Sequence, residues 1–584
     1  MPYLKIKFVD LKLMFLRILF LFLIVNANSF FSQDLGNLKK KDLVKVGGSL
    51  GLNSTFYLGS AERPPFFWQM SGNLNIVTPL FTIPISLTLS QQQKFSFNDF
   101  FDSQSKAAAQ PFNQFGMSPK YKSITSHIGY RSLKFSEFSL SGNQFMGLGL
   151  DINPKDKLLK LKLVYGRFAK AIDTIVPGSF SKTFERWGYG INTIIGTDKN
   201  NLGFLLFKAK DRKTSVSGFD TLVTSKPADN LILGITTIQK ISKSLTFEGE
   251  IDWSAYTYDT RKTDTRLEGY TYLNNLGFLF YANNSSLLSK AMFCNLNYKK
   301  DKLNLKFGYR RVDPNYRTMG SVYLNNDFED LTGNIKYKFF KGKMGFAFTS
   351  GLQRNNLNDD KASETLRLIS SINSTYSPKS NKWNLNVGFS NFNSKSTMTA
   401  INLGVSDTMR FAQVTQSINA QYSINGKLKK NSLSTFVSFN FQNAEVGSNI
   451  GAQNQQKTES KFYNSSIGSS LIIPSFNGTI SIMVNGINNI NNDFSTSALG
   501  PSLNVSKSFE TKKNPIRCNF SFSTLKSFLD FVSSGTILNG FVTANYQVTK
   551  KQTIGLNTSL SKRTANQGET AQEAIITFNY NYRF

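Results

Sequence analysis

Ionisable side chains recur at every second position in several stretches of this 584-residue chain. In LTFEGEIDWSAY, Glu248, Glu250 and Asp252 alternate with Phe247, Ile251 and Trp253. On a β-strand such spacing puts the three carboxylates on one face, where they could hold a divalent cation or pair with basic groups. The basic counterparts are Lys160 and Lys162 in LLKLKLVYGRF, Lys306 and Arg310 in KLNLKFGYRR, and Lys336 and Lys338 in LTGNIKYKFF. Lining an aqueous path, facing basic and acidic ladders would set a selectivity for charged solutes. As interior salt bridges, they would brace a polar lumen instead. The single histidine, His127 in SITSHIGYR, has no partner pattern for nucleophilic or acid–base catalysis, so no enzyme activity is expected. Cys294 and Cys518 lie far apart and outside any CxxC or Cys/His cluster, which argues against a structural metal or redox pair. No metal and no cofactor is expected.

The elements that would position these groups are strands. Leu159, Leu161, Leu163 and Tyr165 oppose the lysines of their segment, Leu303, Leu305, Phe307 and Tyr309 oppose Lys306 and Arg310, and Trp383, Leu385, Val387 and Phe389 oppose Asn384, Asn386 and Ser390. This period of two dominates from about residue 43 onward and marks strands with one apolar and one polar face. Residues 1 to 32 have Lys5, Lys7, Lys12 and Arg17 ahead of a short apolar run from Ile18 to Val25 and small residues after it, the parts of a secretory signal peptide cleaved after Ser32. No later stretch is long and apolar enough for a membrane helix. An exported chain that spans a membrane without such helices has to close its strands into a barrel, because every backbone polar group in lipid needs an internal partner.

The connections choose between a soluble sandwich and a barrel. Short turns (near 549, 509, 474, 425, 377, 340, 299, 240, 197 and 153) alternate with longer loops (about 210–230, 259–288, 313–330, 394–410 and 444–460), with strands of about ten residues between them, as in a transmembrane barrel. About 22 strands run from Tyr121 to Phe584, and the strand-like pieces of residues 43–91 either fold inward or, the preferred reading, add wall strands that close the barrel at 24 to 26, a range of about 22–26 strands in all. Gly142-Asn143 is a plausible hairpin turn. Segment 92–120 lacks the alternation, and its six phenylalanines and Ala107-Ala108-Ala109 suggest a loop with a short helix, in the lumen or at one mouth, that could gate access. The fold class is all-β: a single antiparallel barrel over 33–584.

These features together resemble the outer-membrane β-barrel proteins of Gram-negative bacteria. The resemblance rests on the signal peptide, the alternating wall, the loop asymmetry and the terminal FNYNYRF, whose Phe578, Tyr580, Tyr582 and Phe584 look like that class's C-terminal assembly signal. It implies an outer-membrane location with a periplasmic C-terminus, recognition by the barrel-assembly machinery, and contact with outer-membrane lipid and lipopolysaccharide. It also implies a solute channel or transporter, or alternatively a non-conducting scaffold for a secretion or cell-surface complex with an envelope partner. Residues 33–120 are too short and too strand-like for the plug of a TonB-dependent receptor. A formal charge of +31 attracts anionic surfaces, but the lysines are dispersed over turns and single strand faces, so nucleic acid is not an expected partner.

Overall fold

A computed structural model describes residues 44–93, 102, 110–155, 158–173, 182–216, 225–262, 277, 279–378, 382–399, 408–450, 453–492, 494–511, 514–566, 568 and 570–584. The signal-peptide segment and Ala107-Ala108-Ala109 lie outside these residues.

The described residues form β1 (Lys45–Gly59), β2 (Phe66–Val77), β3 (Phe81–Ser90), β4 (Gln114–Met117), β5 (Lys120–Tyr121), β6 (Ile124–Lys134), β7 (Ser141–Ile152), β8 (Leu159–Ala169) and β9 (Arg186–Gly196). The wall continues through β10 (Asn200–Asp211), β11 (Asp229–Lys240), β12 (Leu245–Thr257), β13 (Ser286–Lys300), β14 (Leu303–Val312), β15 (Phe328–Phe339), β16 (Met344–Asn355), β17 (Ser363–Tyr376) and β18 (Trp383–Thr399). It ends with β19 (Thr408–Leu428), β20 (Asn431–Ile450), β21 (Gln453–Ile473), β22 (Gly478–Asn491), β23 (Ser495–Phe509), β24 (Ile516–Leu529), β25 (Val532–Thr549), β26 (Gln552–Ala565) and β27 (Thr570–Arg583). Each strand pairs antiparallel with its neighbours in sequence, and β1 closes on β27 from Ser49↔Arg583 to Gly59↔Glu573. Short β4 and β5 both bridge β3 to β6 and make one stave, so the wall is a closed barrel of 26 strands.

Closure leaves no edge, and the pleat gives the wall two faces. Leu159, Tyr165, Phe307, Leu331, Ile335, Leu385, Val387 and Phe389 are exposed on the outer face, as their alternation requires. Cys294 and Cys518 are half-buried free thiols on the same face. The wall begins and ends at one end, where Gly48 and Phe584 exchange backbone hydrogen bonds of 3.0 and 3.1 Å. Every connection between described strands at that end is short, and Asp301, Lys429 and Asn477 adopt the left-handed conformation there, as tight polar hairpins need; at the opposite end most connections are longer, although those from β22 to β23 and from β24 to β25 are short too. Outward aromatics ring the same rim: Tyr376–Trp383 (5.0 Å), Trp383–Tyr422 (5.9 Å) and Tyr582–Phe584 (5.7 Å).

On β20 the outward row Leu433, Val437, Phe439 and Phe441 gives way to Asn443 and Glu445, and on β21 the outward row passes from Tyr463 to Lys461 and Glu459. Eight steps from Leu433 to Phe441, at ~3.4 Å each and a tilt of ~40°, rise about 21 Å, close to the ~25 Å apolar band of an outer-membrane barrel. An apolar band around a closed barrel is the architecture of that membrane class.

Several expectations are corrected. The hairpin between β6 and β7 is made by 135–140, and Gly142-Asn143 sits inside β7. Gly142 takes φ 76°, a local twist that needs no turn. Residues 114–117 and Lys120, assigned to the aperiodic segment 92–120, are wall strand. Strands reach 21 residues in β19 and β21, because both continue past the band. The expected loop at 444–460 is mostly strand, with Ile450 facing Gln453.

Candidate functional site: a constriction inside the barrel

The inner face differs around the circumference. Along β6–β14, at the end away from Phe584, many of the inward side chains are apolar. Phe145, Val164, Phe168, Leu205, Phe207 and Ile232 are buried in one cluster with Leu140 and Met319. Water would face these groups in an empty lumen, and two connections fold inward to cover them. The first is the 135–140 turn between β6 and β7; the second is the 313–327 loop between β14 and β15.

Each loop is held to the wall and to the other. Ser136 Oγ donates to Asp252 Oδ2 at 3.0 Å and also accepts from the Ser139 N–H at 3.1 Å. The Phe138 N–H donates to Glu250 Oε1 at 3.3 Å. From the second loop, the Tyr316 hydroxyl donates to the Phe138 carbonyl (3.0 Å) and the Thr318 hydroxyl to the Ser139 carbonyl (2.8 Å). The Ser141 N–H donates to the Gly320 carbonyl (2.9 Å), and Asn143 Nδ2 donates to the Met319 carbonyl (3.0 Å). Asn230 of β11 accepts from the Met319 N–H (3.1 Å), and Ser254 of β12 donates to the Arg317 carbonyl (2.7 Å). Gly320 permits this contact, since a Cβ there would stand 2.6 Å from the Ser139 carbonyl oxygen. Phe138, Tyr316, Ala291 and Val312 form a second buried cluster beside the first.

Burial, with the Asp252 and Glu250 carboxylates nearby, holds the Tyr316 hydroxyl well above the ordinary tyrosine value. It stays protonated and keeps donating to Phe138.

The charged residues singled out from sequence divide between this constriction and the open wall. Glu250 and Asp252 are buried and take hydrogen bonds from the first turn, while Glu248, nearer the Phe584 end of the wall, is half-buried on the same face. Arg310 reaches Glu137 of the turn at 2.9 Å and lies over the Phe138 and Phe328 rings at 5.4 and 5.2 Å. Glu250 and Asp252 therefore anchor the turn, one through the Phe138 N–H and the other through the Ser136 hydroxyl, and Arg310 takes its carboxylate from the same turn. Lys160 pairs with Asp198 of the β9–β10 turn, and Lys162 donates to the Lys134 carbonyl at 3.1 Å. Lys306, Lys336 and Lys338 are exposed on the inner face. Beyond them the inner face of β16–β27 carries small polar groups such as Asn373, Thr375, Ser390, Asn419, Gln421 and Ser438. Among the described residues no group of three or more His, Cys, Asp or Glu side chains stands together as metal donors.

Alternation alone missed the constriction, because its apolar residues occupy the phase opposite the lipid row. A signal was present: FMGLGL, LVYGRFA and FLLFKA are apolar in both phases near one end, which marks a wall covered on both sides.

No family model matches the chain, and no curated protein does so either. Among solved structures it is similar to the FrpB iron transporter from Neisseria meningitidis (F3-3 variant), at 10% identity over 93% of this chain and 82% of that one, with a TM-score of 0.34. It is also similar to the copper transporter OprC (8% identity, 92% of this chain and 80% of that one, TM-score 0.36). A third is OpdK of Pseudomonas aeruginosa with vanillate (9% identity, 62% and 93% covered, TM-score 0.29). Closure and stave number rest on this chain's own strand pairings.

Proposed function

We propose that this barrel conducts or transports solute across the outer membrane of a Gram-negative cell, with its C-terminus at the periplasmic rim. One observation carries the reading: an inner wall of small polar residues, exposing Lys306, Lys336 and Lys338 to water, stands beside a constriction built from two inward loops. A barrel of this circumference has room for an aqueous path along β15–β27 while β6–β14 are filled. The basic groups favour anionic solutes there. The short-turn end fits the periplasm and the long-loop end the outside. Phe578, Tyr580, Tyr582 and Phe584 form the outward row of the closing strand and would be read by the barrel-assembly machinery.

Purified protein in planar bilayers should give discrete ion conductance with anion preference. Replacing Lys306, Lys336 and Lys338 together by Glu should shift the reversal potential in a salt gradient towards cations. Unchanged selectivity would remove these side chains from the path. Protein that inserts but never conducts would favour the other reading, a scaffold at the cell surface. One feature supports that alternative: above Phe441, β20 continues for nine residues with Asn443 and Glu445 on its outer row, a polar wall rising about 20 Å past the apolar band. Pull-down of an envelope protein with the intact chain, lost on trimming that wall, would support it.

A further inference from the structure

We infer that the outer wall at β7–β10 carries a built site for a phosphate-bearing anionic membrane lipid. The inference needs the barrel to lie in a bilayer and is independent of whether it conducts. Outward Leu148, Leu163, Tyr165, Ile191 and Leu206 floor an apolar groove of about 510 Å³, and Leu279 closes one side. Leu279 belongs to the connection between β12 and β13, of which residues 279–282 fold back over the outside of the wall. There Phe280 and Ala282 are buried with outward Leu231 and Ala255, and Leu206 and Leu288 pack against them. The groove is thus walled by chain rather than being plain barrel surface.

Above it the outward row of β10 changes character. After Leu206 come Lys208, Lys210 and, just past the strand, Arg212, each about 7 Å further towards the long-loop end. Lys208 is buried, bonded to Asp229 and set over the Phe280 ring at 4.9 Å. Lys210 reaches the same Asp229 at 3.5 Å yet remains 46% exposed, beside the Tyr281 ring at 5.8 Å. Arg212 contacts Glu185 at 3.4 Å and is 56% exposed. One carboxylate serving two ammonium groups leaves positive charge facing outward, fixed at the top of the groove. The order from mid-wall to loop end is acyl slot, then cations. A lipid of the loop-side leaflet presents its chain and its phosphate in that order, and its phosphate can satisfy Lys210 and Arg212 outside water.

The test uses the whole chain with Trp68, Trp253 and Trp383 replaced by Phe, which leaves Trp187. This residue faces Lys210 across the β9–β10 pair and lies 5.7 Å from the Tyr165 ring. Samples that show folded, heat-dependent gel migration are reconstituted in phosphatidylcholine vesicles containing a minor fraction of brominated-chain phosphatidylglycerol or brominated-chain phosphatidylcholine. The anionic lipid should quench Trp187 several-fold more strongly at equal fraction, and Lys210→Gln with Arg212→Gln should bring the two lipids level. Equal quenching in the parent, or a preference that survives the double substitution, would overturn the site.

Discussion

Tyr316 is a single hydroxyl that joins the two inward loops, and its chemistry makes a pH prediction. Its folded pKa is raised, so the stability it contributes is complete below the unfolded tyrosine value of about 10 and is lost as pH rises above that value. The constriction should therefore loosen in alkaline solution above about pH 10, seen as a rise or added noise in single-channel current. Tyr316→Phe should remove this dependence. At neutral pH it should weaken the loop by about 1 kcal/mol or somewhat more, because the buried Phe138 carbonyl loses its donor. Hydrogen exchange of the amides at 135–140 would register that loss. A variant with unchanged exchange would show that Thr318 and Gly320 hold the loops without it.

Among the elements, β18–β21 separate two kinds of wall. Below Phe441 on β20 and Tyr463 on β21 the outward row is largely apolar; above them it turns to Asn, Glu and Lys, with Lys457 pairing to Glu445 at 3.0 Å and Lys461 to Glu459 at 3.1 Å. Exposed pairs of this kind contribute little stability. The upper hairpin should therefore be dispensable for assembly. Deleting 448–456 and joining Gly447 to Lys457, which already face each other, should leave heat-dependent migration and the resistance of the barrel to urea unchanged. A collapse of folded protein in that variant would mean that the tall wall helps the barrel close.

For the molecule as a whole, closure through β1 and β27 removes every edge, so no strand can peel away without breaking a full ladder. Unboiled protein in detergent gels should migrate differently from boiled protein. Identical migration would contradict a stable closed barrel. Because the ladder between β1 and β27 is the seam that closes the ring, Leu52→Pro, which removes an N–H and adds a ring opposite Tyr580, should sharply reduce the folded fraction. The same substitution at an exposed turn residue such as Lys550 should be tolerated far better.

Much of this fold was written locally. A period of two fixes which side of a strand meets lipid, and alternating short and long connections fix that the strands run antiparallel around a ring. Leu159, Phe307, Leu385 and the closing row Phe578 to Tyr582 were placed by that rule, and so was the count of 22 strands after Tyr121. Residues 114–120 escaped it because two short strands share one stave, each with too few residues to show a period. The constriction escaped it for a different reason. Periodicity reports which face a side chain takes, but not what lies opposite that face, and 135–140 and 313–327 carry no signal that they turn inward rather than out. Only the closed ring brings Ser136 to Asp252 and Tyr316 to Phe138, pairs separated by 116 and 178 residues, so only the tertiary structure could give the buried carboxylates an anchoring role.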